Sequence, residues 1–288
     1  MIPVEFEYAA PTTVDEALDA LARALAAGTD VKVMGGGQSL LPVLRLRLAA
    51  PELVLDLRRV EGISGIREEG DHLVIGAMTT HDSVHKDPLV AQHAALLREA
   101  VATVADPQVR HRGTFGGSLV HADPAGDMPA PALALEAEMV IAGQGGVRRT
   151  VAAADFFTGL FTTAVGEDEL LVEVRVPKRT GWGADYQKFA RVAHAWAIVA
   201  VAAAVRVEGG TIAEARVGLT NMGSVPVRAH AVEAALVGQP ATAEAIRAAA
   251  GAAGEGTTPP SDSNADADFR RHLAGVLAGR AVLAAAGG

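Results

Sequence analysis

Hydrophobic positions along the chain change period several times, and the changes divide it into units. Ala17, Leu18, Leu21 and Leu25 recur at helical spacing behind Thr13 and Glu16, which form a capping-box pair. This spacing predicts a helix opening at residues 12–16 and ending at Gly28. The short run Val31 to Met34 predicts a buried strand that delivers the chain into Gly35-Gly36-Gly37-Gln38-Ser39, a tight glycine turn. A segment rich in leucine and arginine follows, and Leu53 to Leu57 reads as the next strand, closing a small α/β lobe.

From Ile63 the pattern turns to polar alternation. Ile63 to Arg67 and His72 to Met78 read as strands joined by Glu68-Glu69-Gly70-Asp71. Thr79 to Asp82 caps a short helix, and Leu89 to Val104 predicts a longer one that stops at Asp106-Pro107. The stretch Ala105 to Pro131 has neither period; it holds a second glycine turn, Thr114-Phe115-Gly116-Gly117-Ser118, and the acids Asp123 and Asp127. A helix over Pro131 to Ala137 then leads to strands at Glu138 to Ala142, Val147 to Val151 and Glu169 to Val176. Lys178 to Gly183 reads as a linker. Beyond it, strands at Ala184 to Arg191, Ala195 to Val207 and Thr211 to Leu219 predict an antiparallel meander. Helices at Val227 to Val237, Ala241 to Ala253 and Ala267 to Ala286 follow. The expected class is α+β: a two-lobed domain over 1–177, with lobes of about 1–58 and 59–177, then a C-terminal domain over 178–288 with a three-stranded antiparallel sheet and a helical bundle.

Composition narrows the function. Half of the 288 residues are apolar, enough for a sizeable core. A net charge of −9 without a basic stripe argues against nucleic-acid binding. The longest uncharged apolar run, Ala195 to Val205, is too short to span a bilayer, and the N-terminus lacks the pattern of a signal peptide, so a cytoplasmic protein is expected. The chain has no cysteine, which excludes disulfides, a cysteine nucleophile and a thiolate-held iron–sulfur cluster. Redox chemistry on this chain therefore needs an organic cofactor. His81 and His85 stand at i, i+4 without further ligands and read as a helix-surface pair, so no metal site is expected.

Two glycine turns in one domain point to one elongated anion held between them, because backbone amides approach a ligand closely where no Cβ intervenes. Ser39, Thr114 and Ser118 add hydroxyl donors, and a pyrophosphate suits the pair. Neither turn has the P-loop or dinucleotide fingerprint. Asp123 and Asp127 could accept hydrogen bonds from sugar-like hydroxyls; Asp123 precedes a proline and equally suits a loop-capping turn, leaving Asp127 the stronger candidate.

The strings MGGGQSLLP, DPQVRHRGTFGGSLVHADPAGDMPA, DELLVEVRVP and FRRHLAGVLAGRA, in this order, resemble the FAD-binding medium subunit of molybdenum hydroxylases, and IREEGDHLVIGAMTTHDSV and VGLTNMGSVPVRA are most similar to the carbon monoxide dehydrogenase type. The resemblance implies a vanillyl-alcohol-oxidase-like (PCMH-type) FAD-binding domain. It implies FAD contacts from Gly35, Gly36, Gly37, Gln38, Ser39 and Leu40, and from Thr114, Phe115, Gly116, Gly117 and Ser118. Asp123 and Asp127, the apolar Leu171 and the lysine Lys188 complete the implied site. Trp196 falls near a family aromatic beside the isoalloxazine, with ordinary sheet packing as its other reading. The sequence departs from the family at Ser118, where asparagine is usual, and at Gln38, where histidine is frequent. No residue is expected to act as a catalytic acid or base. The implied partners are a molybdenum-cofactor large subunit and a 2Fe–2S small subunit, assembled as a dimer of heterotrimers, with a quinone or another molecule accepting electrons. The implied location is cytoplasmic, with attachment to the inner membrane face through the complex. A self-contained FAD oxidoreductase and a flavin-free scaffold are the competing expectations.

Overall fold

The computed structural model describes residues 2–287. Strand β1 (Glu7–Ala9), helix α1 (Val14–Ala26), strand β2 (Val31–Met34), helix α2 (Leu40–Arg45) and strand β3 (Leu53–Asp56) form the first lobe. Its three strands lie in the order β1-β3-β2, all parallel. Thr13 caps α1 by accepting from the Glu16 N–H as expected, while the Glu16 carboxylate reaches one residue further back, to the N–H and hydroxyl of Thr12.

The second lobe carries β4 (Ile66–Glu69), β5 (His72–Gly76), α3 (His81–Lys86), α4 (Pro88–His93), α5 (Ala95–Ala102), α6 (Pro107–Arg110), α7 (Phe115–His121), α8 (Pro129–Ala134), β6 (Glu138–Ala142), β7 (Arg148–Ala152), α9 (Ala153–Phe156), β8 (Phe157–Gly159), β9 (Thr162–Thr163) and β10 (Leu170–Pro177). Its main sheet is antiparallel, in the order β4-β5-β10-β6-β7. One face of this sheet, with Val140, Ala142, Leu170 and Val172, shares a core with Leu18, Leu21 and Leu55 of the first lobe. The opposite face, with Leu73, Ile75, Ile141 and Val174, packs on Leu97, Phe115, Leu119 and Leu133 from the helices. The sheet is thus the wall between the two glycine-bearing regions' supporting layers.

The C-terminal part adds β11 (Gly183–Phe189), β12 (Val199–Glu208), β13 (Thr211–Thr220), β14 (Val227–Arg228), α10 (His230–Leu236), α11 (Ala243–Ala250) and α12 (Ala267–Ala285). These four strands lie in sequence order, antiparallel throughout. Alternation along β12 sends Val199, Val201, Ala203 and Val205 toward the helices α10 to α12, and Ala200, Ala202 and Ala204 into the core of the second lobe. Small side chains on that second face permit close approach: a Cβ on Gly218 of β13 would stand 2.4 Å from the Ala130 carbonyl oxygen of α8.

Four local expectations need correction. The helix expected over 89–104 breaks at Ala94 (φ −143°, ψ 48°), because the His93 carbonyl turns away to accept from the Arg179 N–H at 2.7 Å. The second glycine segment is not a free turn but the first turn of α7, capped by Thr114. His81 is not on a helix surface; it is buried, with Nδ1 unpartnered among the described residues. The C-terminal sheet has a fourth, two-residue strand beyond the expected three.

Candidate cofactor-binding site

The structure brings the two glycine segments into direct contact. A Cβ on Gly36 would lie 1.9 Å from the Arg112 carbonyl oxygen and 2.7 Å from the Gly113 Cα. A Cβ on Gly35 would lie 2.8 Å from Thr114 Oγ1 and 3.7 Å from the Gly117 Cα. At Gly36 backbone presses on backbone, so glycine is required there for the segments to meet, whereas at Gly35 the close neighbour is the Thr114 hydroxyl.

The segments nevertheless differ in what they offer. In the first, the N–H groups of Gly36, Gly37, Gln38 and Ser39 donate to no acceptor among the described residues. Gly37 is buried with φ +74°, and Gly35, Gly36, Gln38, Ser39 and Leu40 are half-buried. Ser39 makes no side-chain cap on α2, leaving its hydroxyl uncommitted there, and Gln38 Nε2 donates to the Gly36 carbonyl at 3.0 Å, closing the turn on itself. A run of successive unpaired amides in a partly buried turn is the donor set an anion demands.

In the second segment the amides from Phe115 to Ser118 are already engaged. Phe115 N–H donates to the Thr79 carbonyl at 2.8 Å and Gly116 N–H to the Ala77 carbonyl at 2.9 Å. Gly117 N–H donates to Thr114 Oγ1 at 3.2 Å, and Ser118 N–H to the Thr114 carbonyl at 3.1 Å. The Ser118 hydroxyl donates to the Phe115 carbonyl at 2.7 Å, so the side chain expected to face a ligand bonds its own helix. Gly116 is a packing glycine, since its Cβ would strike Ala77 at 2.6 Å. Phe115 is fully buried and shares a core with the buried Leu171; both support α7 from behind. The second segment is therefore a wall that shapes the site, and the first supplies the free donors.

Asp127 and Lys188 meet across the join between the second lobe and the C-terminal sheet. Lys188 Nζ donates to Asp127 Oδ2 at 2.8 Å and to the Thr103 carbonyl at 3.3 Å, and Tyr186 Oη donates to Asp127 Oδ1 at 2.9 Å. The side chains of Asp127 and Lys188 are only 4% and 8% exposed. Burial pushes the Asp127 carboxyl up, and the Lys188 ammonium beside it pulls it back only in part. Burial, followed by the neighbouring Asp127 charge, holds the Tyr186 phenol well above its ordinary value, so it remains a donor. Lys188 has three N–H donors and two are accounted for, which leaves one for a ligand. Tyr186 lies two residues before Lys188, on the same side of β11; that period-two spacing was the signal available for it.

Asp123 accepts from the Ala125 N–H at 2.9 Å, the loop-capping turn that its neighbouring proline favours. It also lines a cleft of about 540 Å³ together with Arg191, Trp196, Asn221 and Arg270. Trp196 is 56% exposed, so the sheet-packing reading does not describe it. Neither Asn221 nor Arg270 stands out in the sequence, because a single asparagine after a strand and an arginine in a helix without a distinct polar face carry no periodic signal.

The comparisons with known proteins agree over nearly the whole length. Residues 4–179 match the family described as the FAD binding domain in molybdopterin dehydrogenase, and residues 184–285 match the CO dehydrogenase flavoprotein C-terminal domain. The carbon monoxide dehydrogenase medium chain of Hydrogenophaga pseudoflava is 42% identical, covering 99% of this chain and 98% of its own. A solved carbon monoxide dehydrogenase from Hydrogenophaga pseudoflava superposes with a TM-score of 0.93 at 44% identity, covering 99% of this chain and 98% of that one. Quinoline 2-oxidoreductase from Pseudomonas putida 86 superposes with a TM-score of 0.93 at 35% identity, covering 100% and 99%.

Proposed function

The chain belongs to the family of FAD-binding medium subunits of molybdenum hydroxylases, and on that premise we propose that it is the flavin subunit of a carbon monoxide dehydrogenase. The observation that carries the cofactor assignment is the row of free amides at Gly36 to Ser39, in a turn packed against the Arg112–Gly117 segment. FAD bound there supplies electron exchange in single or paired steps, filled from a 2Fe–2S subunit and drained by a quinone or another acceptor.

The residues of this chain bind and orient. The amides of Gly36, Gly37, Gln38 and Ser39, with the Ser39 hydroxyl, hold the pyrophosphate, and Gly35 and Leu40 frame that turn. Thr114, Phe115, Gly116, Gly117 and Ser118 form the wall opposite, with Leu171 behind it. Asp127 acts through Lys188: the carboxylate fixes the ammonium, whose remaining N–H would be available to the cofactor. Asp123 and Trp196 border the neighbouring cleft, where they would be available to the ring system of the cofactor. No side chain needs to exchange a proton with substrate, because this subunit passes electrons on. The absence of cysteine fits that division, since cluster thiolates must then belong to another chain.

The partners in this reading are a molybdenum-cofactor large subunit and a 2Fe–2S small subunit, in a dimer of heterotrimers. The functional division of the chain falls near residue 177, between a FAD-binding domain of two lobes and a C-terminal domain. No helix among the described residues is long and apolar enough to cross a membrane. The proposed place is the cytoplasm, at the inner membrane face when the complex delivers electrons to a quinone.

Purification of a tagged chain from its own host tests the reading. Recovery of FAD with molybdenum, iron and two further chains, in a complex that oxidises carbon monoxide, is the expected result. A yellow single chain that turns over a substrate alone would overturn the subunit role, and a colourless one would overturn the cofactor role.

A further inference from the structure

We propose that Asn221 and Arg270 are positioning residues of this site, holding the Trp196 loop in place beside the cofactor; the inference rests on the flavin reading given above. Residues 190–198 connect β11 to β12, and the Ile198 N–H closes the base of this loop on the Phe189 carbonyl at 2.8 Å. Within the loop, the Ala195 N–H donates to the Val192 carbonyl at 3.0 Å, while Arg191, Val192 and Trp196 are exposed. The loop does little to fix itself.

Its carbonyls are instead gripped from the C-terminal sheet and helices. Asn221 Nδ2 donates to the Ala197 carbonyl at 2.8 Å and to the Ile198 carbonyl at 3.3 Å. Arg270 donates to the same Ile198 carbonyl through Nη1 and to Asp262 through Nη2 at 2.7 Å. Asp262 is itself fixed by the N–H groups of Asn264 and Ala265, at 2.7 and 3.1 Å. The backbone of Asn221 reaches the opposite wall: its N–H donates to the Pro124 carbonyl at 2.8 Å, next to Asp123. One left-handed residue, φ +61°, therefore ties together the loop bearing Trp196 and the loop bearing Asp123 and Asp127.

Core packing does not account for this arrangement. Arg270 is wholly buried, its Nε has no partner among the described residues, and its neighbours one helical turn along α12 are Leu273 and Ala274. A buried guanidinium is retained at a cost that an apolar side chain would avoid, unless the hydrogen bonds it makes are needed. Those bonds go to the loop carbonyl and to the acid that steadies it. Both residues also line the cleft that Trp196 borders.

The chain has two tryptophans, so Trp182→Phe leaves Trp196 as the sole fluorophore of its kind in the full-length protein. Asn221→Gly preserves the left-handed backbone and its N–H but removes the side-chain amide. Arg270→Lys preserves the charge but cannot serve Ile198 and Asp262 together. In both variants, acrylamide quenching of Trp196 in FAD-free protein should increase. FAD should dissociate roughly tenfold faster, the change that the net loss of one or two hydrogen bonds produces. The flavin midpoint potential should shift while circular dichroism stays native. Unchanged quenching in both variants would overturn the clamp. Increased quenching with unchanged FAD release and potential would show a structural loop support only, overturning the positioning role. Wild-type protein that never takes up FAD even when assembled with its partner subunits would instead refute the cofactor reading itself, and would do so before any variant is compared.

Discussion

Gly36 has the least freedom of any residue at the site, because a Cβ there would stand inside the backbone of Arg112 and Gly113. Gly36→Ala should therefore separate the two segments and abolish FAD retention, read as flavin released per chain after gel filtration. At Gly117 the nearest obstacle to a Cβ is a side chain rather than backbone. That Cβ would strike Thr114 Oγ1 at 2.6 Å, so Gly117→Val acts by displacing the cap of α7. His81 lies behind the same wall, where burial pushes its imidazole down to about 4. The folded state thus keeps His81 neutral at a pH where the unfolded chain, near 6.5, is already protonated. The sign follows: this stability is fully present above pH 6.5 and is lost as pH falls toward 4, by roughly 3 kcal/mol. In urea titrations from pH 7 to 4, the stability difference between wild type and His81→Leu should narrow by about that amount in the direction that favours the variant. A constant difference would contradict the buried neutral imidazole.

At the level of elements, α7 is the part whose role the sequence obscured most. Thr114-Phe115-Gly116-Gly117-Ser118 reads as a turn because two glycines disfavour helix, yet Thr114 caps the segment and Gly116 packs against Ala77, so tertiary contact overrides propensity. Thr114→Ala should cost about 1 kcal/mol of stability, the usual value of a lost N-cap, while Thr114→Ser should recover most of it. Chemical denaturation of the three proteins measures this. FAD affinity should follow the same order if the cap also shapes the site. Where periodicity was strong the chain was legible: β6 has the bounds expected from its apolar run, Glu138–Ala142, and α12 begins at Ala267 as expected. The helix expected over 89–104 was lost at Ala94 because its break depends on Arg179, more than eighty residues away along the chain. Likewise, the glycine pattern located both segments but could not tell which one keeps its amides free. That distinction depends on the carbonyls of Ala77 and Thr79, which no local pattern brings to α7.

Across the whole molecule, the two ends of the chain depend on one another. The alanine face of β12 lies in the core of the second lobe, and the Asp127–Lys188 pair sits at the same join, buried on both sides. Residues 184–288 expressed alone should therefore expose Ala200, Ala202 and Ala204, bind a hydrophobic dye and unfold without a sharp transition. The ion pair is open to a sharper test, because stability and binding make opposite demands on it. Removing one partner leaves a buried charge uncompensated, so Asp127→Leu should destabilise the chain by about 3–5 kcal/mol. Removing all the polar members together, as Asp127→Leu with Tyr186→Phe and Lys188→Met, leaves an apolar contact of similar volume and should recover most of that loss. FAD binding should not recover, because Lys188 would no longer present its ammonium to the cofactor. Equilibrium unfolding and flavin titration on the same three proteins separate the two effects. If the triple variant regains FAD along with stability, the pair serves only to join the two parts of the fold; if it regains stability alone, the pair is held there for the cofactor.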